Sequence, residues 1–403
     1  MGNYKFVNPY NFVPLGKGPE RKKFDDNKGN LSGVIEYSIR TRTPLFIPNT
    51  SNEYAIYPSK KNSGHKSYEF FSYTDLSGKT ENKQGELPKP IIPGSEMRGM
   101  LRSYYEILTD SCMSAIDTNV TIKKKEHDLE QNIADYFPCK QKDNVCPSCR
   151  LFGMVDLDSV TSRIRVTDLT CKNRDGKWYG KATTLAILSS PKSSSAEFYL
   201  KRPADNAVFW TYDHYIDDNE KRHNKAVQIN GRKFYWNHDV KKEQQSIATK
   251  LNISIRPVKE GIDFEGKIYF TNLTNEELDG LCYLLKQDEN HAYKLGAAKP
   301  LGYGSITVTL KEVRIQQYSM DLKEKTVRSD TKTYEYKEKD QKGWKKKDII
   351  QMTTFNNDDN IDYPRLNENG KIFEWFSANR TGNKFIEYMK AMSSELEQVC
   401  KDM

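Results

Sequence analysis

One stretch, Pro90 to Leu108 (PIIPGSEMRGMLRSYYEIL), constrains the fold more than any other. A β-like run meets Pro93-Gly94, and Ser95 then stands where a helix N-cap belongs. Behind it, Met97, Met100, Leu101, Tyr104, Tyr105 and Leu108 recur at the spacing of one continuous apolar helix face. Arg98 and Arg102 are four apart and share a different face near the helix start. Free backbone N–H groups, the positive end of the helix dipole and two guanidinium groups then point the same way. Such a place suits an anion, above all a phosphate. The alternative is a solvated pair of arginines on an ordinary core helix.

The text around this helix is legible as strands and a second helix. Leu31 to Ile47 sets Ile35, Tyr37 and Ile39 against Val34, Glu36, Ser38 and Arg40, the pattern of a strand with one buried face. Arg163 to Leu169 reads as a second strand, and Lys181 to Leu188 as a third candidate. Ile253 to Pro257 and Asp263 to Asn272 read as core strands. Thr274 to Lys286 reads as a helix opened by a capping box of Thr274 and Glu277. KLGAAKPLGYGSITVTL is a glycine-rich turn leading into a final strand. The order strand, helix, strand, strand, helix, strand argues for an α+β fold, and the ferredoxin-like sandwich fits it. From residue 312 the chain is charge-rich, reading as a linker and a C-terminal extension in which 384–399 look helical.

The 403 residues carry a net charge of +8, which permits a polyanion partner without requiring one. No apolar run approaches the roughly 18–20 residues that span a bilayer, so no membrane partner is expected. The seven cysteines are odd in number, three of them cluster, and the N-terminus lacks the order of a signal peptide. That combination reads as a cytoplasmic protein with a metal site, not a disulfide framework. Cys146-Pro-Ser-Cys149, with Cys139 seven positions upstream, has the spacing that folds around one tetrahedral, structural Zn²⁺. His127 or Cys112 can supply the fourth ligand, and the loop-like text between favours His127. The alternatives are a redox pair or unliganded thiols.

Lys201, Arg202, Arg222, Arg232 and Lys233 are interleaved with Phe198, Tyr199, Tyr235 and Trp236. The pieces AEFYLKRP and GRKFYWNH flank a polar centre, which predicts a projecting hairpin. Cations there take phosphates while rings stack on unpaired RNA bases; the alternative is a small aromatic hairpin core. Lys299 lies in the glycine-rich turn, where backbone N–H groups can cradle a phosphate or simply close a tight turn. Asp75, in the long polar loop 48–88, is the best single acid for catalysis, by binding a divalent ion such as Mg²⁺ or by positioning an RNA 2′-OH. The alternative is an ordinary loop aspartate.

IPGSEMRGMLRS, CPSCRLFG, SRIRVTDL and LGAAKPLGYGSI, in that order, resemble the RAMP superfamily of CRISPR-associated proteins. The likeness is greatest to the backbone subunits of type III and type III-derived RNA-targeting effector complexes. YNFVPL, GRKFYWNH and the late YPRL…FEWF resemble one branch of that family. The resemblance implies a modified RRM-like core over residues 1–311, interrupted by a zinc knuckle (about 113–155) and a thumb-like insertion (about 189–250), with 312–403 as the extension. It implies copies of the chain stacked along a crRNA, beside other effector subunits, presenting target RNA for antiviral defence. Ser95, Arg98, Arg102, Arg163, Arg165 and Lys299 would then hold guide phosphates. In catalytic members a loop acid, here Asp75, cuts target RNA. Others rely on a separate nuclease or process their own pre-crRNA. A zinc scaffold that binds only protein is the remaining reading.

Overall fold

The alternation in residues 31–41 builds the centre of the fold; the strand expected to run to Ile47 ends at Thr41. The computed structural model describes residues 4–7, 9–25, 29–74, 87–116, 133–188, 199–210, 214–224, 227–241, 246–321, 326–339, 341–356, 361 and 396–399. Strand β1 (Leu31–Thr41) is followed by helix α1 (Gly94–Leu108) and a short helix α2 (Pro147–Phe152). Strands β2 (Ile164–Val166), β3 (Leu169–Cys171) and β4 (Asp263–Leu273) come next, then helix α3 (Asn275–Leu285) and strand β5 (Ser305–Asp321). The central sheet runs β5-β1-β4-β3, with β2 also on β4, and these pairings are antiparallel. Opposite residues match in character: Ile35 faces Ile268 on one side and Val313 on the other.

Each strand gives one face to the core because its apolar residues fall at every second position. On β4, Phe264, Ile268 and Phe270 are buried while Glu265, Lys267 and Tyr269 are exposed. Helices α1 and α3 join that buried layer with Met97, Leu101, Tyr105 and Leu108 from one and Leu278, Leu281, Cys282 and Leu285 from the other. Gly280 lets them close: a Cβ there would lie 2.8 Å from the Tyr105 ring. The result is a mixed α/β fold with an antiparallel sheet, helices packed on its buried face.

Three expectations change. Helix α1 begins at Gly94, two residues earlier than an N-cap at Ser95 would place it, and Ser95 is an exposed helical residue rather than the N-cap. Pro93 precedes it in extended backbone, and the Gly94 N–H donates to Asp168 Oδ1 at 2.8 Å. A side chain at Gly94 would meet the Val166 carbonyl at 2.4 Å, so the chain passes too close there for any other residue. The expected hairpin is also rearranged. Arg232–Tyr235 pairs with Tyr10–Val13 near the N-terminus, and the intervening chain folds as a meander of Ala207–Trp210, Tyr215–Asp217 and Arg222–His223. Finally, Leu396–Val399 pairs as a strand with Tyr4–Val7, where a helix was expected. Ile253–Ile255 lies in a side sheet with Lys66–Tyr68 and Thr183–Thr184.

The capping box of α3 is as the sequence predicts. Thr274 Oγ1 accepts from the Glu277 N–H at 3.2 Å, and Glu277 Oε2 accepts from the Thr274 N–H at 2.9 Å. The same carboxylate oxygen lies 3.4 Å from Arg163, which is buried and also donates to the carbonyls of Asn272 and Asp25. Glu277 thus caps the start of a helix and neutralises a buried cation. Replacing it with alanine leaves Arg163 uncompensated, and denaturant unfolding of Glu277→Ala is expected to show a loss of about 3 kcal/mol or more.

Candidate metal centre and basic surface

Four cysteines come from three pieces of chain. Cys112 follows the end of α1, Cys139 comes from the loop after a turn at Ala134–Tyr136, and Cys146 and Cys149 belong to the first turn of α2. All four are buried, and their sulfurs lie within 4.8 Å of one another. Cys112 Sγ is 3.5 Å from the sulfurs of both Cys149 and Cys146. The Cys146 N–H donates to Cys139 Sγ at 3.3 Å, and the Cys149 N–H to Cys146 Sγ at 3.5 Å. Around them Val145, Met154, Val160 and Phe24 form a small apolar cluster separate from the main core.

A tetrahedral zinc with bonds of about 2.3 Å spaces its sulfurs about 3.8 Å apart, which this group matches. Hydrogen bonds from neighbouring thiols, Cys112 first, hold Cys146 well below the usual thiol range, while the same crowding pushes the Cys112 and Cys149 thiols up. Thiolates so crowded repel unless a cation sits among them. An all-sulfur, fully buried set can hold a soft metal such as zinc and leaves no open position for substrate. The fourth sulfur is that of Cys112, the alternative to His127; His127 lies outside the described residues.

Arg98 and Arg102 turn toward this centre. Arg98, half-buried, donates to the Phe152 carbonyl and lies 5.8 Å over the Phe152 ring. Arg102 donates to Glu106 at 3.0 Å, to the Gly153 carbonyl at 3.2 Å and to Cys149 Sγ at 3.4 Å. The start of α1 already meets an anion of the chain itself, the Asp168 carboxylate, which also accepts from the Tyr73 hydroxyl.

The glycine-rich loop lies near that helix start. Burial lowers the pKa of Lys299 below the usual lysine range, and the carboxylate of Glu96, in the first turn of α1, opposes the shift. Beneath the loop, Lys294 is buried and donates to the carbonyls of Gly302 at 3.0 Å and Tyr303 at 3.1 Å. Burial holds its pKa well below the usual range, with the charge of Lys299 adding to the effect. His238 is buried nearby; burial and then Lys294 bring its pKa down to about 4.

The basic and aromatic residues divide. Arg232 is buried, donating to the carbonyls of Ser111 and Cys112, and Trp236 is buried with its ring edge-on to Phe234. Arg202 forks onto the Ala207 carbonyl at 3.1 and 2.8 Å and lies over Trp210. Lys201 is exposed. Lys233 sits among the rings of Tyr10, Tyr235 and Tyr199 at 4.1, 4.9 and 5.2 Å. Desolvation draws its pKa down to about 8, and the ring faces, which favour the cation, oppose that shift. Arg165 is exposed on β2, directly opposite Tyr269 of β4, itself 47% exposed. Asp75 lies outside the described residues.

Sequence reading missed Asp168, Glu106 and Lys294. The only signals were an aspartate ending the VTDL strand, a glutamate four residues after Arg102 and a lysine two residues before a glycine. None is distinctive without the fold. Among the described residues, no helix is long and apolar enough to cross a membrane.

Residues 38–307 match the sequence model of the RAMP superfamily. No curated protein matches the chain. Among solved structures, a chain described as "Type IV-B CRISPR Complex" is similar at 14% identity, covering 69% of this chain and 90% of its own, with a TM-score of 0.30. The metal centre yields a direct comparison of its two candidate fourth ligands. Purified Cys112→Ser is expected to lose stoichiometric zinc, measured by elemental analysis, while His127→Ala keeps it.

Proposed function

The chain belongs to the RAMP superfamily, and from that membership we propose that it is an RNA-binding backbone subunit of a CRISPR effector complex. In this reading copies of it polymerise along a crRNA in the cytoplasm and present target RNA, alongside other effector subunits that include a separate nuclease. The strand order β5-β1-β4-β3, with α1 after β1 and α3 after β4, supports a ferredoxin-like, modified RRM core. The four-cysteine group supports a structural zinc knuckle within about 113–155. The meander and the strand at Arg232–Tyr235 support a thumb-like insertion over about 189–250 on the 1–311 core, with 312–403 as an extension.

The observation that carries the reading is the cross-strand pair Arg165–Tyr269. A guanidinium and an aromatic ring stand side by side on the exposed face of an antiparallel sheet. One can neutralise a phosphate while the other stacks on a base. Lys299 on its glycine loop, and Lys201 and Lys233 beside Tyr235 on the insertion, supply further cations to the backbone. Ser95, exposed in the first turn of α1, can add a hydroxyl contact. Arg163, Arg232 and Trp236, being buried, support this binding only by holding the fold.

The two members of the pair have separable effects. For a crRNA-length strand, Arg165→Ala is expected to reduce the slope of log affinity against log salt by roughly 0.7, as one phosphate contact is lost. Tyr269→Ala is expected to weaken binding by about 1–3 kcal/mol at every salt concentration with the slope unchanged. Neither variant altering affinity would refute the assignment. Protein co-expressed with a repeat array yet purified free of RNA would refute the function and favour a protein-only scaffold. A non-cleaving RNA-binding subunit keeps full RNA binding in Asp75→Ala and cuts no target; regular Mg²⁺-dependent target cleavage that disappears in that variant would instead make the chain the nuclease.

A further inference from the structure

We infer that Arg102 is a positioning residue of the cysteine metal centre, a hydrogen-bond donor to the ligand sulfur of Cys149, and not a ligand of RNA phosphate. The inference rests on the reading of the four cysteines as a zinc site. All three guanidinium nitrogens of Arg102 have protein acceptors: Glu106 Oε1 at 3.0 Å, the Gly153 carbonyl at 3.2 Å and Cys149 Sγ at 3.4 Å. Its side chain is 18% exposed and that of Glu106 is 8% exposed. Glu106 lies 3.7 Å from Arg232, and Arg232 donates in turn to the backbone carbonyls of Ser111 and Cys112. A buried chain of alternating charge, Arg102–Glu106–Arg232, thus runs from one sulfur ligand to the backbone of another. It joins the two parts of the centre that come from opposite ends of α1 and α2.

The chemistry explains why a guanidinium stands there. Zinc with four thiolates carries net negative charge, and burying that charge is costly unless donors meet it. An N–H···S bond draws charge from the sulfur and fixes the direction of its lone pairs, as outer donors do at metal sites generally. Arginine can do this while also holding a carboxylate and a carbonyl, because its donors form a rigid planar fork. Lysine, a point charge on a flexible stem, cannot hold all three, although it binds phosphate well. Arg98 differs: among the described residues its hydrogen-bond acceptor is the Phe152 carbonyl, and it is only half-buried, so it remains a candidate for a phosphate.

The test uses full-length protein as wild type, Arg102→Lys, Arg102→Gln and Arg98→Ala. Zinc release to a chromophoric chelator is timed, and crRNA affinity is measured across a salt series. Both Arg102 variants are expected to release zinc roughly tenfold faster or more, with the salt slope of RNA binding unchanged. Arg98→Ala, which removes a donor to the Phe152 carbonyl and none to a sulfur, is expected to speed zinc release less than either Arg102 variant. Wild-type zinc release in Arg102→Lys overturns the inference, as does a fall of the salt slope in Arg102→Gln. Should Arg102→Gln fail to fold, Arg102→Lys alone decides, since it keeps the charge that a phosphate needs and loses the fork that the centre needs. Wild-type protein that holds no zinc removes the metal reading beneath it, an outcome distinct from unchanged release.

Discussion

Burial of the apolar face of α1 against the central sheet is the interaction on which the remaining structure depends. Met97, Leu101, Tyr105 and Leu108 are all nearly inaccessible, and each such side chain contributes about 1.5–3 kcal/mol on removal from water. The helix thereby becomes a rigid bar with something different fixed at each end. At its start, Asp168 from the β2–β3 connection meets the first N–H group. Past its end, Cys112 enters the sulfur cluster, and along its flank Arg98 and Arg102 hold α2. The small cysteine-lined cluster has few apolar groups of its own, so its position relative to the main core depends on this bar and on the metal it can hold.

The arginines show how one residue type divides between binding and building. Arg163 and Arg232 each reach two backbone carbonyls and a carboxylate, and both are buried. A segment without regular structure leaves carbonyls that need donors, and a planar fork with five N–H groups can satisfy several at once. Arginine is therefore suited to fixing irregular chain inside a protein as well as to holding phosphate outside it. Spacing in the sequence does not separate these uses. Burial does: among the candidates, Arg165 is left on an exposed strand face, and Arg163, two residues earlier on the same run, is not. Their different environments follow from chain direction. Arg163 precedes the strand and turns beneath Phe24, whereas Arg165 lies in the sheet with its side chain on the solvent face.

Elements whose signal is local were legible in advance. The alternation of β1, the stripe of α1 and the capping box of α3 depend on residues within a few positions of one another, and each is found where expected. Partnerships across long separations were not legible. Arg232–Tyr235 was recognisable as a strand, but its partner Tyr10–Val13 lies more than two hundred residues away, and nothing in either segment names the other. The start of α1 failed for the same reason. Ser95 has the right chemistry for a cap, but the acceptor used is Asp168, brought in by the sheet. At the metal centre the Cys-x-x-Cys pair was plain, while the fourth sulfur depended on where the end of a helix lands.

That helix start also bears on where an RNA backbone can be held. A dipole end attracts an anion only if its N–H groups remain available, and the effect fades within a turn. Here a carboxylate already accepts from Gly94, so a phosphate approaching that point meets a neutralised pole beside Glu96. Exposed candidate cations stand elsewhere, Arg165 on the sheet face and Lys201 ahead of the meander, while Lys233 is partly desolvated among tyrosine rings. Lys299 differs: burial makes its charge costly, and the carboxylate of Glu96 offsets part of that cost. A phosphate near Lys299 would therefore also lie in the field of that carboxylate. The Arg165 guanidinium is exposed, and among the described residues no ion pair engages it. On the proposed RNA-binding reading, the sheet face is then the less obstructed place for a phosphate and the glycine loop the more costly one.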